Sequence, residues 1–244
     1  MKSAKNLNSI SIQKRHSFFS SNIINSQRYK SYSEKFEIDM KLYGTKTSPY
    51  SRVIRVVIFE KKLDTQIEFI WIKTRVPNDP MLNINLSGRV PFLLLDDGTG
   101  IEDTPVLVQF LDTLKTPAIF NHGIGSFDLN YLRLEAMTRS LLDGVSVWLR
   151  EIRRPSNEQS PTILLHEQAR STRLVSYFNQ IAAELHLNDS LNLAQLYLFV
   201  ALDLERQIPL FKWRAQNSNL VKWYDKIETQ PSVRSSWQDI RTGK

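Results

Sequence analysis

At 244 residues, with 41% apolar and 23% charged side chains, the chain has the composition of an ordinary globular protein of one or two domains. It contains no cysteine, which excludes a disulfide-stapled fold and any thiol–disulfide chemistry with its own groups. No apolar run approaches the ~18–20 residues that span a bilayer, so no membrane partner is expected. The net charge of +7 is concentrated at one end: residues 1–39 hold seven Lys/Arg against three Asp/Glu. The remainder is nearly balanced and shows no basic stripe interleaved with aromatics, so nucleic acid is not an expected partner either.

Residues 1–33 carry six basic side chains, no acid, and many Ser and Asn. Such a leader fits a mitochondrial transit peptide, or a disordered extension ahead of a working start at Met40. The absence of a clear Arg-bearing amphipathic pattern favours the second reading and a cytoplasmic location, with mitochondrial as the alternative. Residues 1–39 are therefore set apart from the fold.

From Met40 the stretch Met40-Lys41-Leu42-Tyr43 reads as a first strand, followed by Ser48-Pro49-Tyr50-Ser51 and the apolar run Val53–Phe59. Ser followed by Pro is a helix N-cap with proline at the first helical position, so a helix is expected from Pro49 to about Lys62. A Cys-Pro-Tyr-Cys in this context would be a redox site; here both sulfurs are replaced by oxygens. What remains is a hydroxyl at a helix N-terminus, suited to holding a thiolate brought by another molecule. Gln66–Ile72 alternates, with Ile67, Phe69 and Trp71 on one face, and predicts a half-buried strand parallel to the first. Val90-Pro91 at the entrance of Phe92–Leu95 is a candidate cis peptide. Asp97-Gly98 between two apolar runs predicts a hairpin. Asp103-Thr104-Pro105 then caps a helix to about Leu114, with Val106, Phe110 and Leu114 expected to face inward.

After a linker at 115–127, marked by Pro117, Gly123 and Gly125, only helical periodicity is seen. Helices are expected near 129–153, 163–187, 192–206 and 218–229. Asn192-Leu193-Ala194-Gln195 has the form of a capping box. The four histidines, His16, His122, His166 and His186, show no ligand spacing, and no metal site is expected.

The order β-α-β, β-β-α, then all helix, together with TSPYSRVIR at 47–55, NLSGRVP at 85–91, Asp103-Thr104 and QPSVRSS at 230–236, resembles the soluble glutathione S-transferases, above all their small bacterial members. The likeness covers about residues 40–238. It implies a thioredoxin-like glutathione-binding domain at 40–117 and an all-helical domain at 125–244. It departs from the family in Asp-Thr where an acid-Ser pair is usual, and in Gln195 where Asp is common.

The resemblance implies that Ser48 donates to the glutathione sulfur and is the catalytic residue. Val90 would offer its backbone N–H and C=O to the cysteinyl part beside a cis Pro91. Asp103 and Thr104 would receive the γ-glutamyl end, and Arg89 the glycyl carboxylate. Ser51 could share the role of Ser48, and Tyr50 could line the cleft or a dimer contact. Trp148 and Ile152, one turn apart, could line a pocket for an apolar electrophile, although core packing suits that pair better. The expected activity is conjugation of glutathione, a cosubstrate rather than a resident cofactor, to small hydrophobic electrophiles by a homodimer with a detoxification role. A non-catalytic glutathione- or protein-binding stress module of the same fold is the alternative.

Overall fold

Alternate burial along Met40–Gly44 (β1) turns Met40, Leu42 and Gly44 to the interior and leaves Lys41 and Tyr43 half-exposed. Ser48 ends the extended stretch. Its side chain accepts a hydrogen bond from the Ser51 backbone N–H at 3.2 Å, and Pro49 opens the helix Pro49–Glu60 (α1). Val53, Ile54, Val56, Val57 and Ile58 are fully buried, because this helix is apolar around most of its circumference. The chain returns in Ile67–Trp71 (β2), parallel to β1 with Leu42 opposite Phe69, as a short strand–helix–strand crossover requires.

Phe92–Leu94 (β3) runs antiparallel to β1, and Gly100–Glu102 (β4) antiparallel to β3, which gives the sheet order β2-β1-β3-β4. The expected hairpin is present. Gly98 takes φ +82, a left-handed value that costs glycine little, and the Thr99 N–H donates to Asp97 Oδ1 at 2.8 Å. The helix Thr104–Thr113 (α2) follows, but its inward face is Thr104, Leu107, Val108 and Leu111. The expected face of Val106, Phe110 and Leu114 is corrected: Val106 is exposed and the other two are only half-buried. Val106, Leu107 and Val108 are apolar in succession, and Phe110 and Leu111 again, so two competing stripes could be drawn and periodicity alone did not set the rotation.

The computed structural model describes residues 40–120, 128–182 and 191–236. The leader, residues 121–127 of the expected linker, and residues 183–187 of the expected second long helix lie outside the described residues. So do three of the four histidines. Past the sheet, the described chain is helical: Leu129–Ile152 (α3), Pro161–Gln180 (α4), Leu193–Asp203 (α5), Ser218–Glu228 (α6) and Pro231–Ser235 (α7). The last was not expected as a separate helix. The chain therefore pairs a thioredoxin-like sheet-and-helix layer with a helical domain.

The capping box holds as read from sequence. The Gln195 N–H donates to Asn192 Oδ1 at 2.9 Å and the Asn192 N–H to Gln195 Oε1 at 2.9 Å. All 11 residues of α5 are buried, because it lies against α1 and α3 at the centre of the molecule. It stops at Asp203, and Leu204–Arg206 tightens into a 3-10 turn.

Two buried charge clusters hold this arrangement. Lys61 Nζ lies 2.9 Å from Asp112 Oδ1, and Asp112 accepts from the backbone N–H of Phe120 at 2.9 Å, tying the ends of α1 and α2 to the stretch that follows. Arg52 Nη1 donates to Asp203 Oδ2 at 2.9 Å, linking α1 to α5. Asp203 also accepts from Tyr224 at 2.6 Å and from Arg206 Nε at 2.8 Å. Arg55, buried beside Arg52, lies over the Phe69 and Trp71 rings at 5.5 and 5.1 Å and donates to the Ser236 carbonyl at 2.8 Å.

Burial, reinforced by neighbouring carboxylates, raises the phenols of Tyr50, Tyr131, Tyr197 and Tyr224 well above the ordinary tyrosine range. The unfolded chain would lose these protons near the ordinary value of ~10. Above that pH the native state keeps protons that the unfolded state has released, so stability falls as pH rises. In an alkaline titration, tyrosinate absorbance from half of the eight tyrosines is expected to appear late, in one step with the loss of helical circular dichroism. Smooth ionisation of all eight with the helices intact would contradict it.

Candidate functional site

Strand register decides which sequence motifs meet. Tyr43 lies opposite Phe92, and Phe92 opposite Glu102. The carboxyl end of β1, the amino end of β3 and the carboxyl end of β4 therefore lie side by side at one end of the sheet. Ser48 follows the first, Arg89-Val90-Pro91 precede the second, and Asp103-Thr104 follow the third. Three motifs spread over more than fifty positions are brought together by two antiparallel ladders.

Ser48 is half-buried at the start of α1. Its oxygen accepts from the Ser51 N–H, so its own hydrogen stays available to donate elsewhere. Gly44 makes room for this first turn: a Cβ there would stand 3.0 Å from Ser51 Oγ and 3.2 Å from Ser51 Cβ. Ser51 is itself buried against that glycine, and its hydroxyl finds no hydrogen-bond partner among the described residues.

The Val90-Pro91 bond is cis. The loop ahead of it is organised by Asn85, a buried side chain whose Nδ2 donates to the Arg89 carbonyl at 2.8 Å. Ser87 Oγ accepts from the Arg89 N–H at 3.1 Å and donates to Glu102, which ties the loop to the end of β4. Asn85, Ser87 and Glu102 are positioning residues that the sequence reading passed over. The Asn and Ser flanking a glycine were a turn signal that could have pointed to the first two. Arg89 itself is exposed.

Asp103 is exposed and adopts φ +73, a left-handed conformation unusual for a non-glycine residue. Strain of this kind costs roughly 1–3 kcal/mol and persists where the surroundings impose it, commonly at ligand sites. Its carbonyl accepts from the Leu107 N–H at 2.9 Å, but its side chain makes no cap bond. Thr104, read as a possible N-cap, is instead the first helical residue and is buried.

Tyr50 donates its hydroxyl to Asp143 of α3, a bond across 93 positions that no local pattern announces. With its pKa raised by burial and by that carboxylate, this phenol stays protonated at neutral pH and is not a base. Trp148 is buried edge-on against Phe211, with ring centres 5.8 Å apart, so it belongs to the helical core. Ile152 is half-buried at the last turn of α3.

A cavity of about 260 Å³ lies beside Ser48, but neither Trp148 nor Ile152 lines it. Its walls come from the turn 46–49 and from the end of α5, because Trp148 points into the bundle while Val200 and Leu204 face the loop. Among the described residues no group of three or more His, Asp or Glu could hold a metal ion. No helix among them is long and apolar enough to cross a membrane.

The mixed four-stranded sheet with its helices, followed by a helical domain, is a thioredoxin-like architecture with a helical second part. Residues 42–117 match the family model for the glutathione S-transferase N-terminal domain. Glutathione S-transferase 2 of Saccharomyces cerevisiae is 26% identical over 216 residues, covering 82% of this chain and 91% of that protein. An uncharacterized GST-like protein of Escherichia coli, YibF, is 25% identical over 197 residues, covering 79% of this chain and 96% of its own length. A glutathione S-transferase from Methylobacillus flagellatus, solved with glutathione bound, superposes with a TM-score of 0.71 at 26% identity, covering 81% of this chain and 98% of its own. Residues 42–117 thus match a glutathione S-transferase N-terminal domain, and over about four fifths of its length the chain is similar to glutathione S-transferases.

Proposed function

We propose that this protein binds glutathione at the sheet end described above and conjugates it to small apolar electrophiles, with Ser48 as the catalytic residue. The observation that carries this reading is the convergence of Ser48, cis Val90-Pro91 and Asp103-Thr104 on one edge. Glutathione would pair with the Val90 backbone in strand fashion. The N-terminus of α2 suits its γ-glutamyl carboxylate, while Asp103 suits the adjacent ammonium. Arg89 would meet the glycyl carboxylate. Ser48 and the N-terminus of α1 would then favour the thiolate, which attacks the electrophile without any covalent bond to the protein.

Two measurements test this together. Calorimetry with glutathione is expected to show one site per chain, and a chlorinated nitroaromatic is expected to be turned over with release of chloride. Absence of heat would remove the glutathione site altogether. Binding without turnover would favour a non-catalytic module, a reading to which the capping bond of Ser48 gives some support, since capping alone justifies serine there.

The homodimer is part of the same proposal. Leu86 at 87% exposure and Leu129 at 62% are the apolar side chains such a contact would cover, and sedimentation is expected to give twice the chain mass. We place the protein in the cytoplasm, with a detoxification role as the corresponding physiological expectation.

A further inference from the structure

Resting on the transferase reading above, we infer that Tyr50 is a positioning residue for the reaction: its hydroxyl, donated to Asp143, ties the first turn of α1 to α3 and so holds Ser48 in place. Tyr50 stands two residues after Ser48, in the turn whose Ser51 N–H bonds the Ser48 oxygen. That turn is gripped from the inside by Ser51, packed on Gly44. A single inner grip lets a helix end pivot, and its unsatisfied N–H groups leave it prone to fray. The Tyr50 bond supplies an outer grip from a different part of the chain.

The anchor at the far end is rigid. Leu141, Leu142 and Val145, on either side of Asp143, are fully buried. A Cβ at Gly144 would stand 2.5 Å from Glu167 Oε2, so α3 lies directly on α4 at this point. Ser146 and Arg150 of α3 act on the same Tyr50 hydroxyl. From α5, the buried Tyr197 phenol lies within electrostatic reach of both Tyr50 and Asp103. The Tyr50 hydroxyl is therefore on the side of the molecule that carries the candidate site. Burial raises both phenols above the ordinary tyrosine range, so neither titrates near neutral pH and the Tyr50 donor is permanent there. A hydrogen bond from Ser48 to a thiolate weakens steeply once distance and angle are lost, so a small pivot of this turn lowers the thiolate fraction.

The test uses Tyr50→Phe, Asp143→Ala and Asp143→Asn in the full chain, with glutathione and a chlorinated nitroaromatic between pH 6 and 8. Tyr50→Phe and Asp143→Ala are each expected to lower kcat about fivefold at pH 6, with a calorimetric Kd for glutathione within a few-fold of the parent. The loss should shrink toward pH 8, because above the bound thiol's pKa the anion forms without help. The pH at which thiolate absorbance appears in the glutathione complex should rise by about 0.7 unit, the equivalent of fivefold. Asp143→Asn keeps an oxygen that accepts from the phenol and should stay within about twofold of the parent. The double variant Tyr50→Phe with Asp143→Ala should be no slower than either single change.

Tyr50→Phe with unchanged kcat and thiolate midpoint would overturn the inference. So would a loss that is uniform across the pH range and follows a lower melting temperature, since the bond would then serve the fold alone. Asp143→Asn as slow as Asp143→Ala would overturn it too, because the charge rather than the bond would matter. A parent chain that fails to bind glutathione, or binds it without turnover, would strike the transferase reading itself and this inference with it.

Discussion

Asp203→Ala is expected to destabilise the protein by about 3–5 kcal/mol, the loss seen when one partner of a buried ion pair is removed. Asp203 is almost fully buried and joins three partners from three elements: Arg52 of α1, Arg206 of the 3-10 turn and Tyr224 of α6. Its removal leaves the Arg52 guanidinium beside the Phe199 ring with its principal counter-charge gone. Burial already draws that guanidinium down from its ordinary value, and Asp203 is the group that opposes the shift, so its removal leaves the buried cation less well supported. Arg206, more exposed and also bonded to Glu228 at 2.8 Å, can turn to solvent and loses less.

The double replacement Arg52→Met with Asp203→Leu removes both charges and keeps the volume apolar. Part of the lost stability is expected to return, since replacing a buried pair is often neutral or favourable, while Tyr224 and Arg206 still lose the acceptor they share. The two single changes would then be strongly non-additive. Denaturant midpoints with an unchanged slope are the measurement. An Asp203→Ala chain within about 1 kcal/mol of the parent would show that the cluster contributes little to holding α1 against α5.

What could be read ahead of the structure was local. Ser48-Pro49, Asp97-Gly98 and Asn192…Gln195 act through bonds spanning two or three residues, and each stands as its chemistry required. The β1–α1–β2 unit was legible because alternation and helical period differ over a short stretch. The face of α2 was not, because its consecutive apolar residues allow more than one stripe, and α5 gave no direction at all, because a helix buried on every side carries none. Long-range polar pairs were invisible for a different reason. Tyr50 to Asp143, Arg52 to Asp203 and Ser232 to Glu60 each join residues 93 or more positions apart, and nothing in either partner's neighbourhood marks the other. The site lies between these cases: its residues were named from motifs, while their meeting depends on the β1–β3–β4 register. The cavity walls were missed because Trp148 turned inward, leaving Val200 and Leu204 to face the loop.

Ser48→Ala is expected to lower turnover of a chlorinated nitroaromatic tenfold or more, with glutathione affinity within a few-fold. A thiol with an unperturbed pKa of ~8.5 is mostly protonated at neutral pH. Lowering it by about two units requires ~2.7 kcal/mol of preference for the thiolate. One charge-assisted hydrogen bond of ~1.5–3 kcal/mol and a helix N-terminus of ~0.3–1 kcal/mol supply that amount. Alanine removes the first and leaves the second, and a loss of ~1.4 kcal/mol already corresponds to tenfold in rate. The same change also deletes an N-cap, costing about 0.5–2 kcal/mol of stability, so loss of fold must be separated from loss of chemistry. Ser48→Asp makes that separation. Aspartate caps a helix as well as serine does, so the melting temperature should hold, but it places an anion against the thiolate and should raise the bound thiol's pKa. Turnover by the aspartate variant is expected to fall below that of the alanine variant, and the pH at which thiolate absorbance appears in its glutathione complex should rise. If both variants keep full turnover while only alanine lowers the melting temperature, Ser48 is a cap and the thiolate is stabilised by another group.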